Sequence, residues 1–387
     1  LVGSEMCIRD RCAAVCPTAA IKVKTNLDKV WRQLYDPGKR VVVQVAPAVR
    51  VALGEAFGLA PGEDSIGKIF TAIRMLGFDA VYDTCVGADL TIMEEAKELG
   101  EKLESGDDRF PLFTSCCPAW IRFAETKHPD IMPYISSCKS PMEMFGAVLK
   151  EYYKDKDKEE GKETISMAVM PCVAKKMEAV REEFIRDGVP DIDYVITTKE
   201  LIRMIRESGI QFDEIDPEAP DMPFSISSGA GVIFGVTGGV TEAALRRLVQ
   251  EKSTQSLRDI KFSGIRGMEG VKEAVLELNG RTLRIGVVSG LGNADNLIEK
   301  IKSGEEHFDF VEVMACPYGC IAGAGQPFCH KVDKKERMAG MYRSDKAAPI
   351  KRSEENPVIY NLYHGGLLEG REHELLHVHY KGAQPQE

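Results

Sequence analysis

The chain has 387 residues, 44% apolar and 28% charged, with a net charge of −10. That length allows two or three ordinary domains or one large two-lobed unit of a globular protein. The acidic balance argues against nucleic acid or anionic membranes as partners, and no apolar run nears the ~20 residues of a membrane helix.

Along the chain, residues 1–10 read as non-native sequence. Arg11-Cys12-Ala-Ala-Val-Cys16-Pro17 has the C-x3-C-P ending of a bacterial ferredoxin signature. Met6 and Arg9 stand where its two earlier cysteines belong, so 1–27 reads as a truncated ferredoxin-like segment. A polar linker is expected over Asn26–Lys39. Val41-Val-Val-Gln-Val45 reads as a buried strand ended by Ala46-Pro47. Ile66, Ile69, Phe70, Ile73 and Leu76 fit one face of a helix. A strand over 79–84, a helix over 90–103 and a short strand over 111–115 follow. The charge run Lys154–Lys162 reads as a solvated lobe boundary. Beyond it, strands are predicted over 165–170, 194–197, 283–289 and 310–315. Helices are predicted over 199–207, 241–250, 270–278 and 294–302. Strands alternating with helices imply parallel α/β layers.

There are eleven cysteines. No secretory leader is recognisable, so the expected location is cytoplasmic. Cysteines in a reducing compartment are more often metal ligands or catalytic thiols than disulfides. Three segments stand out: Thr114-Ser-Cys-Cys-Pro-Ala-Trp120, Met170-Pro-Cys-Val-Ala-Lys175, and Met314-Ala-Cys-Pro-Tyr-Gly-Cys320. Pro47, Cys116, Cys172 and Cys316 each follow a predicted strand, and open α/β sheets bind ligands beyond strand carboxyl ends. Spacing of one, one and two cysteines suits a [4Fe–4S] cube held by Cys117, Cys172, Cys316 and Cys320. It does not suit the paired knuckles of a zinc ribbon. The plainer alternative is a set of buried structural thiols. Gly319, Gly323 and Gly325 would let the backbone pass close to a bulky cofactor.

In order and content these segments resemble the three signature motifs of [FeFe]-hydrogenases, over about residues 39–387. Ala46-Pro47-Ala48-Val-Arg50, Gly87-Ala-Asp-Leu-Thr-Ile-Met-Glu-Glu95 and Phe234-Gly-Val-Thr-Gly-Gly-Val-Thr-Glu242 are similar too. So is the tail His373-Glu-Leu-Leu-His-Val-His-Tyr380. The resemblance implies two α/β lobes, 39–162 and 163–345, around a central cleft, with a small-subunit-like wrapping tail over 346–387. It implies an H-cluster, a [4Fe–4S] cube joined to a diiron unit with CO, cyanide and a bridging dithiolate. Cys117, Cys172, Cys316 and Cys320 would ligate the cube, and Cys320 would bridge to the diiron unit. Pro47, Ala48, Lys175, Met170, Met314 and Phe234 would bind the cofactor. Cys116, Glu95, Ser136, Glu98 and Lys102 would relay protons.

Cys12 and Cys16 would hold an accessory [4Fe–4S] cluster in a longer protein. Expected partners are ferredoxin or NAD(P)H-linked electron-transfer subunits, and hydrogenase maturation factors.

On a helix, Glu95, Glu98 and Lys102 share one face, which an ordinary solvated charge stripe would also do. Ala48, Met142, Ala119, Ala324 and Lys102 depart from the residues common in the family. An iron–sulfur scaffold or a hydrogen sensor of the same fold are the alternatives. His373-Glu374-Leu-Leu-His377 formally matches a zinc motif, which needs a long helix and a third ligand.

Overall fold

The computed structural model describes residue 18 and residues 23–106, 109–248, 270–278 and 281–380; side chains of 276–278 are not among them. Cys12 and Cys16 lie outside this set. In chain order the first elements are α1 (Leu27–Leu34), β1 (Lys39–Val45), α2 (Ile66–Met75), β2 (Ala80–Asp83), α3 (Cys85–Ser105), β3 (Leu112–Phe113) and α4 (Pro118–Lys127). Next come α5 (Pro141–Glu160), β4 (Glu163–Met170), α6 (Ala174–Glu178), β5 (Ile185–Arg186), β6 (Val189–Pro190), β7 (Tyr194–Thr197) and α7 (Thr198–Glu207). The last group is α8 (Gly229–Ile233), α9 (Gly239–Leu248), β8 (Val271–Leu278), β9 (Arg281–Ser289), α10 (Leu291–Lys302), β10 (Phe310–Met314), α11 (Lys331–Ala347), α12 (Pro357–Tyr363) and α13 (Glu372–Leu376).

Two four-stranded sheets organise the described residues. The first has order β2-β1-β4-β7 and is wholly parallel. Its central strand β1 is buried from Arg40 to Val45, as expected of a valine-rich run covered on both faces. The second has order β3-β10-β9-β8; β3 and β9 run parallel to β10, and β8 closes the edge antiparallel to β9.

Three expectations fail here. The stretch read as a linker contains α1, anchored by buried Leu27 and Val30. The run Lys154–Lys162 is solvated as expected and is mostly the last turns of α5. A lobe boundary at 162/163 does not separate the sheets, because β4 pairs along β1 and β3 pairs with β10. Residues 270–278 form no helix: Val271–Leu278 pairs in register with Arg281–Val288. In addition, α11 runs through the expected tail boundary at 345/346.

The tail is pinned across the fold. Arg337, fully buried on α11, forms a bidentate pair with Glu55 at 2.6 Å and donates to the Ile321 carbonyl. Farther on, Lys139 N donates to Leu376 O and Val378 N to Ser137 O, at 2.8 and 2.7 Å. Cys138 and His377 thus face each other in an antiparallel bridge.

Candidate active site

The carboxyl ends of β1, β3, β4 and β10 all open on one cavity. It encloses about 910 Å³ of empty space, part of it open to solvent, and is lined by Cys116, Cys117, Cys172, Cys316 and Cys320. That volume falls in the ~300–1,000 Å³ range of small-molecule and cofactor sites. Local sequence explains each placement. Cys117 is the N-cap of α4, with Pro118 pre-set for the first turn. Cys172 lies between β4 and α6. Between Cys316 and Cys320 the chain reverses tightly, with positive φ at Tyr318 (75°) and Gly319 (83°). A Cβ on Gly319 would sit 2.7 Å from Thr237 N, and one on Gly323 2.2 Å from Pro171 O. The third motif therefore packs directly onto the second, and glycine is required at both contacts.

Burial and the neighbouring thiols push the Cys172 thiol up, and push Cys320 up to about 12. Thiols that resist ionising side by side need a cationic centre to hold them as thiolates. A lone ion would draw its ligand atoms to one point, with Zn–S bonds of ~2.3 Å. Among the described residues only Glu98, Cys138 and His377 bring three such atoms within 4.8 Å of one another. The cavity cysteines instead ring a large space, which fits a polynuclear cluster.

Pro47, Ala48, Met170, Lys175, Phe234 and Met314 line the same cavity, as do Met142, Ala119 and Ala324. Lys175 pairs with Glu178 at 2.7 Å and donates to the Cys116 carbonyl at 3.3 Å. Burial would lower its pKa, but Glu178, Cys116 and Glu143 outweigh that and raise it. A charged ammonium is therefore held at an apolar wall.

Glu95 is buried on α3, and neither carboxyl oxygen makes a well-formed hydrogen bond. Burial, then the charges of Glu98 and Glu312, push it well up. Burial and Glu95 push the Cys116 thiol up in turn. One helical turn on, Glu98 accepts from Ser137 N at 3.1 Å and from the Ser137 hydroxyl. Burial opposes its ionisation, yet hydrogen bonds from His377, Ser136 and Ser137 hold it below the usual carboxylate range. Ser136 is buried beside them. Lys102 sits over the Tyr134 ring at 5.9 Å.

Sequence reasoning missed Glu312, Glu94, Ser137, Tyr363 and His377. Glu312 carried a signal, as the lone acid in an apolar strand; it accepts from Gly238 N and Thr241 N at 2.7 and 2.8 Å. His377 carried only the misleading zinc pattern. Helix α13 has five residues and ends before His377, so the two histidines of that pattern do not share a helix. They stack instead, ring centroids 5.0 Å apart.

A parallel α/β framework whose strand ends present cysteines to one cavity is the architecture of an iron–sulfur protein with a buried cluster site. The family model for the iron-only hydrogenase large subunit, C-terminal domain, matches residues 39–324, and that for the iron hydrogenase small subunit matches residues 331–382. The chain belongs to the iron-only hydrogenase family. The small-subunit match begins at the start of α11, earlier than the expected tail. Over 380 residues the chain is 45% identical to the NADP-reducing hydrogenase subunit HndD of Solidesulfovibrio fructosivorans, covering 96% of this chain and 65% of that one. It is 31% identical to cytosolic iron-sulfur assembly component 3 of Rattus norvegicus, over 90% of this chain and 76% of that one. A variant of apo [FeFe]-hydrogenase HydA1 from Chlamydomonas reinhardtii superposes with a TM-score of 0.78 at 39% identity, over 92% and 99% of the two chains. No helix among the described residues is long and apolar enough to cross a membrane.

Proposed function

We propose that this chain is the catalytic module of an [FeFe]-hydrogenase, joining two protons and two electrons reversibly as molecular hydrogen. The single observation that carries this reading is one cavity ringed by strand-end cysteines, with a protonated lysine at its wall. The two sheets are read as two lobes closing on that cavity. An H-cluster bound there would supply electron storage and the place where protons and electrons meet.

The protein's own residues do the rest. Cys117, Cys172, Cys316 and Cys320 would hold the cube, and Cys320 would also tie the diiron unit to the protein. The Lys175 ammonium supplies a charge-assisted hydrogen bond to an anionic ligand in a dry site. Pro47 and Ala48 line the same cavity, and Met170, Met314 and Phe234 give its wall polarizable and aromatic contacts. Cys116, Glu95, Ser136, Glu98 and Lys102 move protons. Glu95, held neutral by burial, and Glu98, held ionised by its donors, give the relay a proton-carrying and a proton-accepting end. In a longer protein Cys12 and Cys16 would supply two ligands of an accessory [4Fe–4S] cluster, which would take electrons from ferredoxin or an NAD(P)H-linked subunit. Maturation factors deliver the diiron unit.

The likeness to cytosolic iron-sulfur assembly component 3 supports a second reading, a non-catalytic scaffold. Hydrogen evolution from reduced methyl viologen separates the two. Protein carrying a reconstituted cube is assayed with and without the diiron cofactor. Activity only with the diiron unit supports the hydrogenase; none, at full cube iron, supports the scaffold or a sensor.

A further inference from the structure

Glu94 and Glu98 are four residues apart on α3, so two like charges share one helix face. Both are largely buried, with side-chain exposures of 4% and 19%. Such a pair is unfavourable unless a cation sits between its members. His377 does. Its Nε2 lies 3.1 Å from Glu94 Oε2, and its Nδ1 lies 2.7 Å from Ser137 Oγ and 3.5 Å from Glu98 Oε1. Ser137 Oγ in turn donates to Glu98 Oε1, and Tyr363 donates to the far oxygen of Glu94. The bridge between Cys138 and His377 fixes the ring in place. On its outer side His377 stacks on exposed His373, which lies 5.7 Å from exposed His379. Three of the chain's seven histidines thus stand at this end of the relay.

We propose that His377 of the C-terminal segment loads the proton relay, passing protons to Glu98 through Ser137, with Glu94 orienting the ring. The proposal rests on the hydrogenase reading and adds a positioning residue to it. In the loading step the Nδ1–H bond of the imidazolium breaks and its proton goes to Ser137 Oγ. The Ser137 O–H proton goes to Glu98 Oε1. One proton has moved inward, and water or a buffer acid reprotonates the imidazole. The groups facing His377 are Glu94 and Glu98 from α3, with Lys97 near Glu94, Cys138 from the 136–138 segment, Tyr363 from α12, and His373 and His379 from its own segment. The two carboxylates outweigh burial and lift the imidazolium to about 9, so it remains loaded across neutral pH.

The test is the pH profile of hydrogen evolution by cofactor-loaded His377→Ala, at iron content equal to the unsubstituted protein. We expect turnover to fall about a hundredfold at pH 8, the low end of the ~10²–10⁴-fold that a single positioned acid–base group contributes. The deficit should shrink towards pH 6, where solvent acid reaches Glu98 directly. Added imidazole should restore the rate in His377→Ala, and should not in His377→Gln, which fills the space. A readout independent of turnover is the ¹³C-histidine NMR titration of the full chain. His377 should titrate near 9 and move down in Glu94→Gln. An unchanged pH profile, a loss that imidazole does not rescue, or titration near the ordinary ~6.5 overturns the proposal. Unsubstituted protein that evolves no hydrogen overturns the hydrogenase reading itself, and this inference with it.

Discussion

Lys175 Nζ and Glu178 Oε2 lie 2.7 Å apart on one helical turn, with side-chain exposures of 11% and 3%. Glu143, fully buried nearby, has no hydrogen-bond partner for either oxygen. Burial, followed by the charges of Glu178 and Asp191, pushes its carboxyl well up. The cation at the cavity wall is therefore matched chiefly by one carboxylate. Glu178→Ala leaves a buried ammonium unmatched, which costs about 3–5 kcal/mol. Urea denaturation should show that loss. The double variant Lys175→Met/Glu178→Leu should recover most of it, because two matched charges are exchanged for apolar volume.

Gly323 meets the second motif at the closest approach in the site, a Cβ there falling 2.2 Å from Pro171 O. Backbone cannot yield as a flexible side chain can. Gly323→Ala should destabilise the chain by about 1–3 kcal/mol and displace the turn carrying Cys320. Cube reconstitution followed by iron analysis should show reduced loading, and Gly100→Ala, inside α3 with open space around its Cβ and no positive φ, should load normally.

Cysteines split by role in a way iron analysis can read. Cys117→Ala, Cys172→Ala, Cys316→Ala and Cys320→Ala should each fall below about four irons per chain after reconstitution. Cys116→Ala should keep full iron and lose most turnover. Cys320→Ala should also lack the infrared bands of CO and cyanide. Full iron in any of the first four, or retained turnover in Cys116→Ala, contradicts the assigned role.

The parallel strands were legible because a doubly covered strand must be apolar on both faces; Val41–Val45 and Tyr194–Thr197 are of this kind. The face shared by Glu95 and Glu98 followed from helical period alone. Sheet membership was not legible, since nothing in β3 or β4 specifies a partner 200 residues away or 120 residues back. Residues 271–278 misled for a local reason. Val271, Ala274, Val275 and Leu278 fit a helical period, while the same run also alternates. Asn279-Gly280, between it and the next apolar run, is a hairpin signal, and pairing with β9 decides the outcome. The His377 network was hidden because its members come from α3, the 136–138 segment and the tail. The backbone pairing of Ser137–Lys139 with Leu376–Val378 brings the tail to them.

That network also sets a pH dependence of stability. The folded-state pKa of His377 is raised from 6.5 to about 9, because Glu94 and Glu98 outweigh burial. The folded state therefore holds a proton that the unfolded chain gives up. The resulting stabilisation is fully present below pH 6.5 and is lost as pH rises through 9. Glu94 and Glu98 have the opposite sign: their pKa values are lowered, burial notwithstanding, by the donors around them. Their contribution is present above pH 4.5 and is lost as pH falls. Stability should thus be greatest between about pH 5 and 6.5 so far as this cluster governs it, and decline on both sides. His377→Gln should flatten the decline between pH 6.5 and 9 in urea midpoints measured across that range. A variant that keeps the full alkaline decline would place its origin in other groups.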